Sequence, residues 1–280
     1  MKAKMEDMAR ECPDHGWYQL YTAKDRSISE DQIKRAHDLG IQTLVITVDV
    51  PASGNRERNK RHGFGRPLKL TWECKFNALK HPLWMKDYLT HGIAMLANWE
   101  KYAPEGSSPE QVGEFVSDQF PAALVWKDIE NFRKLWPGNL VLKGIMRVDD
   151  AIRAAEVGVD GLMVSNHGAR QLDRAPSPLD VLPAIDAAVG DRMTLMLDGG
   201  VRRGADIMIA LCMGAKFVFM GRPTLYGCIA GGQLGAAKAV EIVRSEIETN
   251  MKQLGCPALD QLGPDFLHWD IDEARKNLRA

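Results

Sequence analysis

Residues 161–173, GLMVSNHGARQLD, carry an apolar run straight into Ser165, Asn166 and His167, with Arg170 three positions beyond the histidine. A buried strand that delivers a titratable ring beside a fixed cation suits a general base next to an anion-binding group. The plainer alternative is a histidine satisfied by nearby backbone. Among the seven histidines, however, only His167 ends such a strand beside an arginine. Asp49 closes the run TLVITVD (43–49) and is the residue type that orients an imidazole and stabilises its protonated form. Lys143, inside NLVLKGI (139–145), needs a partner if its strand is buried. It could form a Schiff base, an ion pair, or a cationic contact with an electron-rich cofactor. LDGGVRRG and GRP place Asp198, Gly199, Gly200 and Arg202, then Gly221 and Arg222, after two late apolar runs. Glycine admits close approach of backbone N–H groups to an anion, and a guanidinium pairs with phosphate through two parallel bonds. Either stretch alone could be no more than a tight turn. Arg56, in SGNRERNKR, belongs to a solvated charge cluster unless it folds back to bind an acid.

These residues need strands that end on one rim. Apolar runs at 17–21, 43–49, 139–145, 161–166, 194–200 and 216–222 are apolar at nearly every position, as in parallel strands buried on both faces. Helical periodicity follows at 29–39, 127–136, 148–157, 178–189, 204–213 and 233–254, and residues 1–11 read as a leading helix. Strand and helix in alternation predict an α/β fold, and the close spacing of the later units favours a closed (β/α)8 barrel of TIM type. Such a barrel needs eight units and the sequence supplies six. The expectation is a single domain over 1–280, lacking its first two strands, with a long excursion at about 52–120 that contains no strand.

Bulk properties narrow the function. A net charge of -1 and a pI of about 6.7 offer no field for nucleic acid. Five scattered cysteines without a CxxC pair point away from disulfides and a zinc site, towards a reducing, cytoplasmic setting. MKAKMEDMAR lacks the apolar core of a signal peptide. No metal site is expected, and the absence of CxxCH excludes a c-type haem.

Taken together, SNHGARQLD, VLKGI, TVDVP…R, LDGGVRRG and GRP resemble the FMN-dependent 2-hydroxy-acid oxidases and dehydrogenases over essentially the whole chain. HPLWMKDYLTHGIAMLANW is most similar to the lactate and mandelate dehydrogenase branch. The resemblance implies an FMN enzyme that oxidises an L-2-hydroxy acid to the 2-oxo acid and passes electrons to a quinone, a cytochrome or oxygen. It further implies His167 as catalytic base with Asp49 behind it, and Tyr21, Arg56 and Arg170 as substrate ligands. Gln19, Thr47, Lys143 and Ser165 would meet the flavin ring or ribityl chain, and Asp198 the ribityl hydroxyls. Gly199, Gly200, Val201, Arg202, Gly221 and Arg222 would cradle the phosphate. A homo-oligomer, a tetramer, is also implied. Family members begin with two further strands before WYQLY, so the barrel is expected to be N-terminally incomplete.

Two rival readings stand beside this one. The chain could be a catalytically silent fragment acting as a folding or interaction module. Alternatively it could be a sugar-phosphate isomerase barrel, which explains the late glycines and arginines but leaves His167, Arg170 and Arg56 without a task. Residues 68–99 mix Trp72, Trp84 and Trp99 with lysines and are too charged to span a bilayer. They read either as a surface that meets the inner face of the cell membrane or as a lid over the site.

Overall fold

The structure, a computed structural model, describes residues 4–61, 71–92 and 95–268. Six parallel strands lie side by side in sequence order: β1 (Trp17–Tyr21), β2 (Thr43–Thr47), β3 (Asn139–Lys143), β4 (Gly161–Ser165), β5 (Thr194–Asp198) and β6 (Phe217–Phe219). The near-continuous apolar character of β2 to β5 has the expected cause, because these central strands are covered on both faces, whereas β1 alternates exposed and buried positions. Outward-facing Leu20, Leu44, Ile46, Leu140, Leu142, Leu162, Val164, Leu195 and Leu197 enter one large core with the surrounding helices. Inward-facing Val45, Val141, Met163 and Met196 form a second, smaller cluster, against which Phe219 packs.

The sheet curls until its two edges face each other, with Trp17 of β1 and Phe219 of β6 at 5.5 Å between ring centroids. The described strands are therefore six of the eight that close a (β/α)8 barrel. Neither outer edge has a strand partner among the described residues. The inner faces of the edge strands stay partly open, Trp17 being 39% and Phe217 55% exposed.

The helices are α1 (Met5–Glu11), α2 (Arg26–Asp38), α3 (Glu57–Arg61), α4 (Trp72–Ala78), α5 (Pro82–His91), α6 (Pro109–Gln119), α7 (Trp126–Leu135), α8 (Val148–Val157), α9 (Pro178–Val189), α10 (Gly204–Cys212) and α11 (Arg222–Leu254). Helix α9 starts where its sequence says it should, with Pro178 in the first turn and the Ser177 and Asp180 side chains capping each other's backbone N–H. Helix α11 is broken at Gly231 and Gly232, so its second half begins at 233 as the periodicity predicts. At the bend the two halves touch through glycines, and a Cβ on Gly227 would lie 2.4 Å from the Gly235 carbonyl.

Between β2 and β3 the described part of the excursion holds no strand, but it holds α3 to α6, none of which the sequence predicts, before α7, which it does. Helices α3 and α5 bury no residue, so no core-facing stripe marks them, whereas α6 buries Val112 and Val116 behind a Ser108–Gln111 capping box that was a readable signal.

Candidate active site

Because the strands are parallel and in register, their last inward-facing side chains arrive on one rim. Tyr21, Thr47 and Lys143 are register partners across β1, β2 and β3, and Ser165, Asp198 and Phe219 are partners across β4, β5 and β6. Lys143 is only 8% exposed, and its ammonium is balanced by Asp198 Oδ2 at 2.8 Å and Ser165 Oγ at 3.0 Å. A buried cation must be paired in this way. Ser165 completes the set by donating to Asp198 Oδ2 at 2.8 Å and accepting the His167 N–H at 3.0 Å. Beside them, Gln19 Nε2 donates to Thr47 Oγ1 at 2.8 Å.

His167 stands just beyond β4. Its Nδ1 lies 3.1 and 3.2 Å from the two Asp49 carboxylate oxygens, and its Nε2 faces the Tyr21 hydroxyl at 3.5 Å. Asp49 at Nδ1 fixes the ring and leaves Nε2 as the reactive edge. The carboxylate is itself held in place. Val48 N–H bonds to the Lys143 carbonyl at 2.9 Å, and Gly144 presses against Asp49 with φ +108. A Cβ at Gly144 would meet Asp49 Cβ at 2.5 Å, so only glycine fits. Tyr21 is pushed above the ordinary phenol range by burial and then by the Asp49 charge, against a lowering hydrogen bond with Thr47.

The loop after β4 turns left-handed for three residues, with φ of 59, 64 and 59 at His167, Gly168 and Ala169. Such backbone costs an L-residue about 1–2 kcal/mol, and retained strain of this kind concentrates at functional sites. The Asn166 side chain braces the turn, accepting from Ala169 N–H and donating to the Pro176 carbonyl, both at 3.1 Å. Sequence reasoning passed over Asn166, and also Gly144 and Gly168. The run SNHGAR, in which asparagine and glycine flank the histidine, was the available signal.

Arg56 reaches the backbone of Arg170. Arg56 folds back from the charge cluster so that its Nε points at the Arg170 carbonyl at 3.4 Å, and Gly54 N–H bonds to Gln171 Oε1 at 3.2 Å. Both arginines are exposed.

A cleft opens beside the left-handed turn, lined by Gly168, Gly199, Gly200, Val201, Asp206 and Arg222 among others. Gly199 and Gly200 have φ of +110 and +80, and nothing lies within 4 Å of where a Cβ on Gly200 would stand. The Arg222 guanidinium spans the opening to the Gly168 carbonyl at 3.1 Å. Asp206 accepts from the Arg202 and Arg203 N–H groups at the start of α10, so its charge is already engaged. Arg202 and Gly221 do not line this cleft. Arg202 lies over the Tyr226 ring at 6.0 Å, and the Gly221 carbonyl accepts the Thr224 hydroxyl. Among the described residues no cluster of three or more metal-ligating side chains occurs.

A curled parallel sheet with this polar rim defines the class: a (β/α) barrel whose chemistry sits at the C-terminal ends of its strands. The chain belongs to the FMN-dependent dehydrogenase family, whose model matches residues 1–269. It is 38% identical over 263 residues to the (S)-mandelate dehydrogenase of Pseudomonas putida, covering 94% of this chain and 66% of that protein. It is 38% identical to a putative L-lactate dehydrogenase of Mycobacterium tuberculosis, over 93% of this chain and 62% of the relative. A crystal structure of monotopic membrane protein (S)-mandelate dehydrogenase superposes with a TM-score of 0.90 at 37% identity, covering 96% of this chain and 71% of that one. The chain thus spans just under two thirds of the length of these two curated relatives.

Proposed function

We propose that this barrel oxidises an L-2-hydroxy acid of lactate or mandelate type to the 2-oxo acid with FMN, and hands the electrons to a quinone, a cytochrome or oxygen. The observation that carries the reading is His167, held at Nδ1 by Asp49 with Nε2 turned to the Tyr21 hydroxyl. Neither an interaction module nor a sugar-phosphate isomerase has a use for that pair beside Arg56 and Arg170.

The residues present suit FMN. The glycine-lined cleft offers backbone and the Arg222 cation to a phosphate, with Gly199, Gly200 and Val201 on its wall. Arg202 and Gly221 would join it from just outside. Gln19, Thr47, Lys143 and Ser165 would meet the ring and ribityl chain, and Asp198 the ribityl hydroxyls. When bound, FMN accepts the two electrons of the oxidation.

The protein's own residues do the rest. Arg56 and Arg170 would clamp the substrate carboxylate, and the Tyr21 hydroxyl would meet the substrate beside His167, so that orientation lowers much of the barrier. His167 takes a proton at Nε2, and Asp49 at Nδ1 stabilises the resulting imidazolium. The Lys143 ammonium, buried against Asp198 and Ser165, would lend positive charge to a bound flavin. Anaerobic mixing of the flavin-loaded protein with lactate and with mandelate tests the whole reading. Bleaching of the flavin band is expected, and a band unchanged by every 2-hydroxy acid tried would defeat it.

A membrane surface is the second part of the proposal. Trp72 and Phe76 of α4, Leu79 just beyond it, and Leu83, Trp84 and Leu89 of α5 are all exposed, and Lys75 lies over the Trp72 ring at 4.5 Å. Residues 68–70 and 93–94 of the stretch expected to reach a membrane lie outside the described residues. Rings with interleaved lysines suit the headgroup layer, and no described helix is long and apolar enough to cross a bilayer. Co-sedimentation with anionic liposomes at low salt is expected, and it should be lost when 68–99 is deleted. If both forms stay in solution, the segment is a lid.

A further inference from the structure

Tyr21 has a neighbour that the proposed reaction does not use. Its ring stands edge-on between His167, at 6.3 Å and 71°, and Phe120, at 6.2 Å and 87°. Phe120 is the residue on which α6 ends. Trp99 packs against the same ring at 5.3 Å. The 3.5 Å separation of the phenol from His167 Nε2 is too long to fix the ring's direction, so the hydrogen bond with Thr47 and the aromatic contacts share that task.

Both sides of this stack are fastened to the barrel. The Gln119 carbonyl and its Oε1 accept the N–H groups of Lys24 and Asp25, each at 3.1 Å, which ties the end of α6 to the turn that follows β1. Asn98 accepts Met5 N–H at 2.9 Å, Lys101 pairs with Asp31 at 2.5 Å, and Tyr102 donates to Asp31, which holds Trp99 from the other side.

We infer that Phe120, backed by Trp99, is a positioning residue for Tyr21, so that the closing segment of the excursion sets where the phenol stands beside His167. The inference rests on the function proposed above and adds a contact through which the excursion acts on the site.

The test is a double-mutant cycle in the full-length, flavin-loaded protein. Phe120→Ala should lower kcat/KM for the 2-hydroxy acid about tenfold, within the range that a small misplacement of a catalytic group produces. In a Tyr21→Phe background the same change should add less than about a twofold loss, because the group being positioned is gone. Phe120→Leu, which keeps bulk without a ring edge, should match Phe120→Ala, and Phe120→Tyr should match the wild type. A second readout needs no turnover. The Tyr21 phenol, followed by ultraviolet difference titration against Tyr21→Phe, should titrate lower in Phe120→Ala as water reaches the ring. Losses that multiply in the double mutant, or a phenol titration that does not move, overturn the inference. If no 2-hydroxy acid reduces the flavin, the functional reading fails and the titration alone decides the role of Phe120.

Discussion

Glutamine at position 167 would fill most of the space of the imidazole but could not accept a proton where Nε2 stands. Its amide could still bond to Asp49, so the rim should keep its shape. His167→Gln is therefore expected to retain flavin and slow its reduction by a factor on the order of 10² to 10⁴. Single-turnover flavin reduction measures this, and a near wild-type rate would remove His167 from the role of base. At this scale the sequence was informative where a polar residue ended an apolar run. His167 and Asp49 were visible on that ground, and the structure brings them within 3.1 Å. Their setting was less visible. For Arg56 the residues of SGNRERNKR left open a solvated charge or a group folded back over the site, because nothing in the spacing shows that its Nε reaches the carbonyl of Arg170. Arg202 sits in a run suggestive of phosphate, yet its guanidinium lies over Tyr226, a long-range contact with no local signature.

The junctions between strand and loop are where elements convert sequence into site geometry. Gly144, directly after β3, is the sharpest case, since its φ of +108 and its contact with Asp49 both forbid a side chain. Gly144→Ala should cost about 1–2 kcal/mol in backbone strain alone. It should also displace the Asp49 carboxylate from His167. The expected result is a lower melting temperature together with a flavin reduction rate that falls while flavin remains bound. A melting temperature that drops with the rate unchanged would show that Asp49 tolerates the move. Strands β2 to β5 were legible because burial on both faces leaves them continuously apolar, and α9 because its apolar positions repeat with helical period. Helices α3 and α5 of the excursion were not, since they bury nothing and an exposed helix need carry no periodicity, while α6 was missed although Ser108, Pro109 and Gln111 mark its start.

At the scale of the molecule, the number and order of strands could be counted from the sequence, but not how far the sheet would curl. That depends on long-range packing such as Trp17 against Phe219. The curl brings the two edges face to face without a hydrogen-bonded ladder between them among the described residues. A ring and an open band of the same strands come apart differently. In a closed ring every strand has two neighbours, and none is a favoured place to begin unfolding. In an open band, opening starts at the ends and works inward, because an end strand gives up one ladder where a central strand gives up two. Amide hydrogen exchange of the 280-residue polypeptide should therefore be graded. Protection should be highest in β3 and β4, lower in β2 and β5, and lowest in β1 and β6, the strands that carry Gln19, Tyr21 and the approach to Arg222. Equal protection in all six would mean that the molecule unfolds as a ring. A graded profile would mean that Tyr21 is lost from the site well before His167, so the site would loosen from its tyrosine side while its base was still in place.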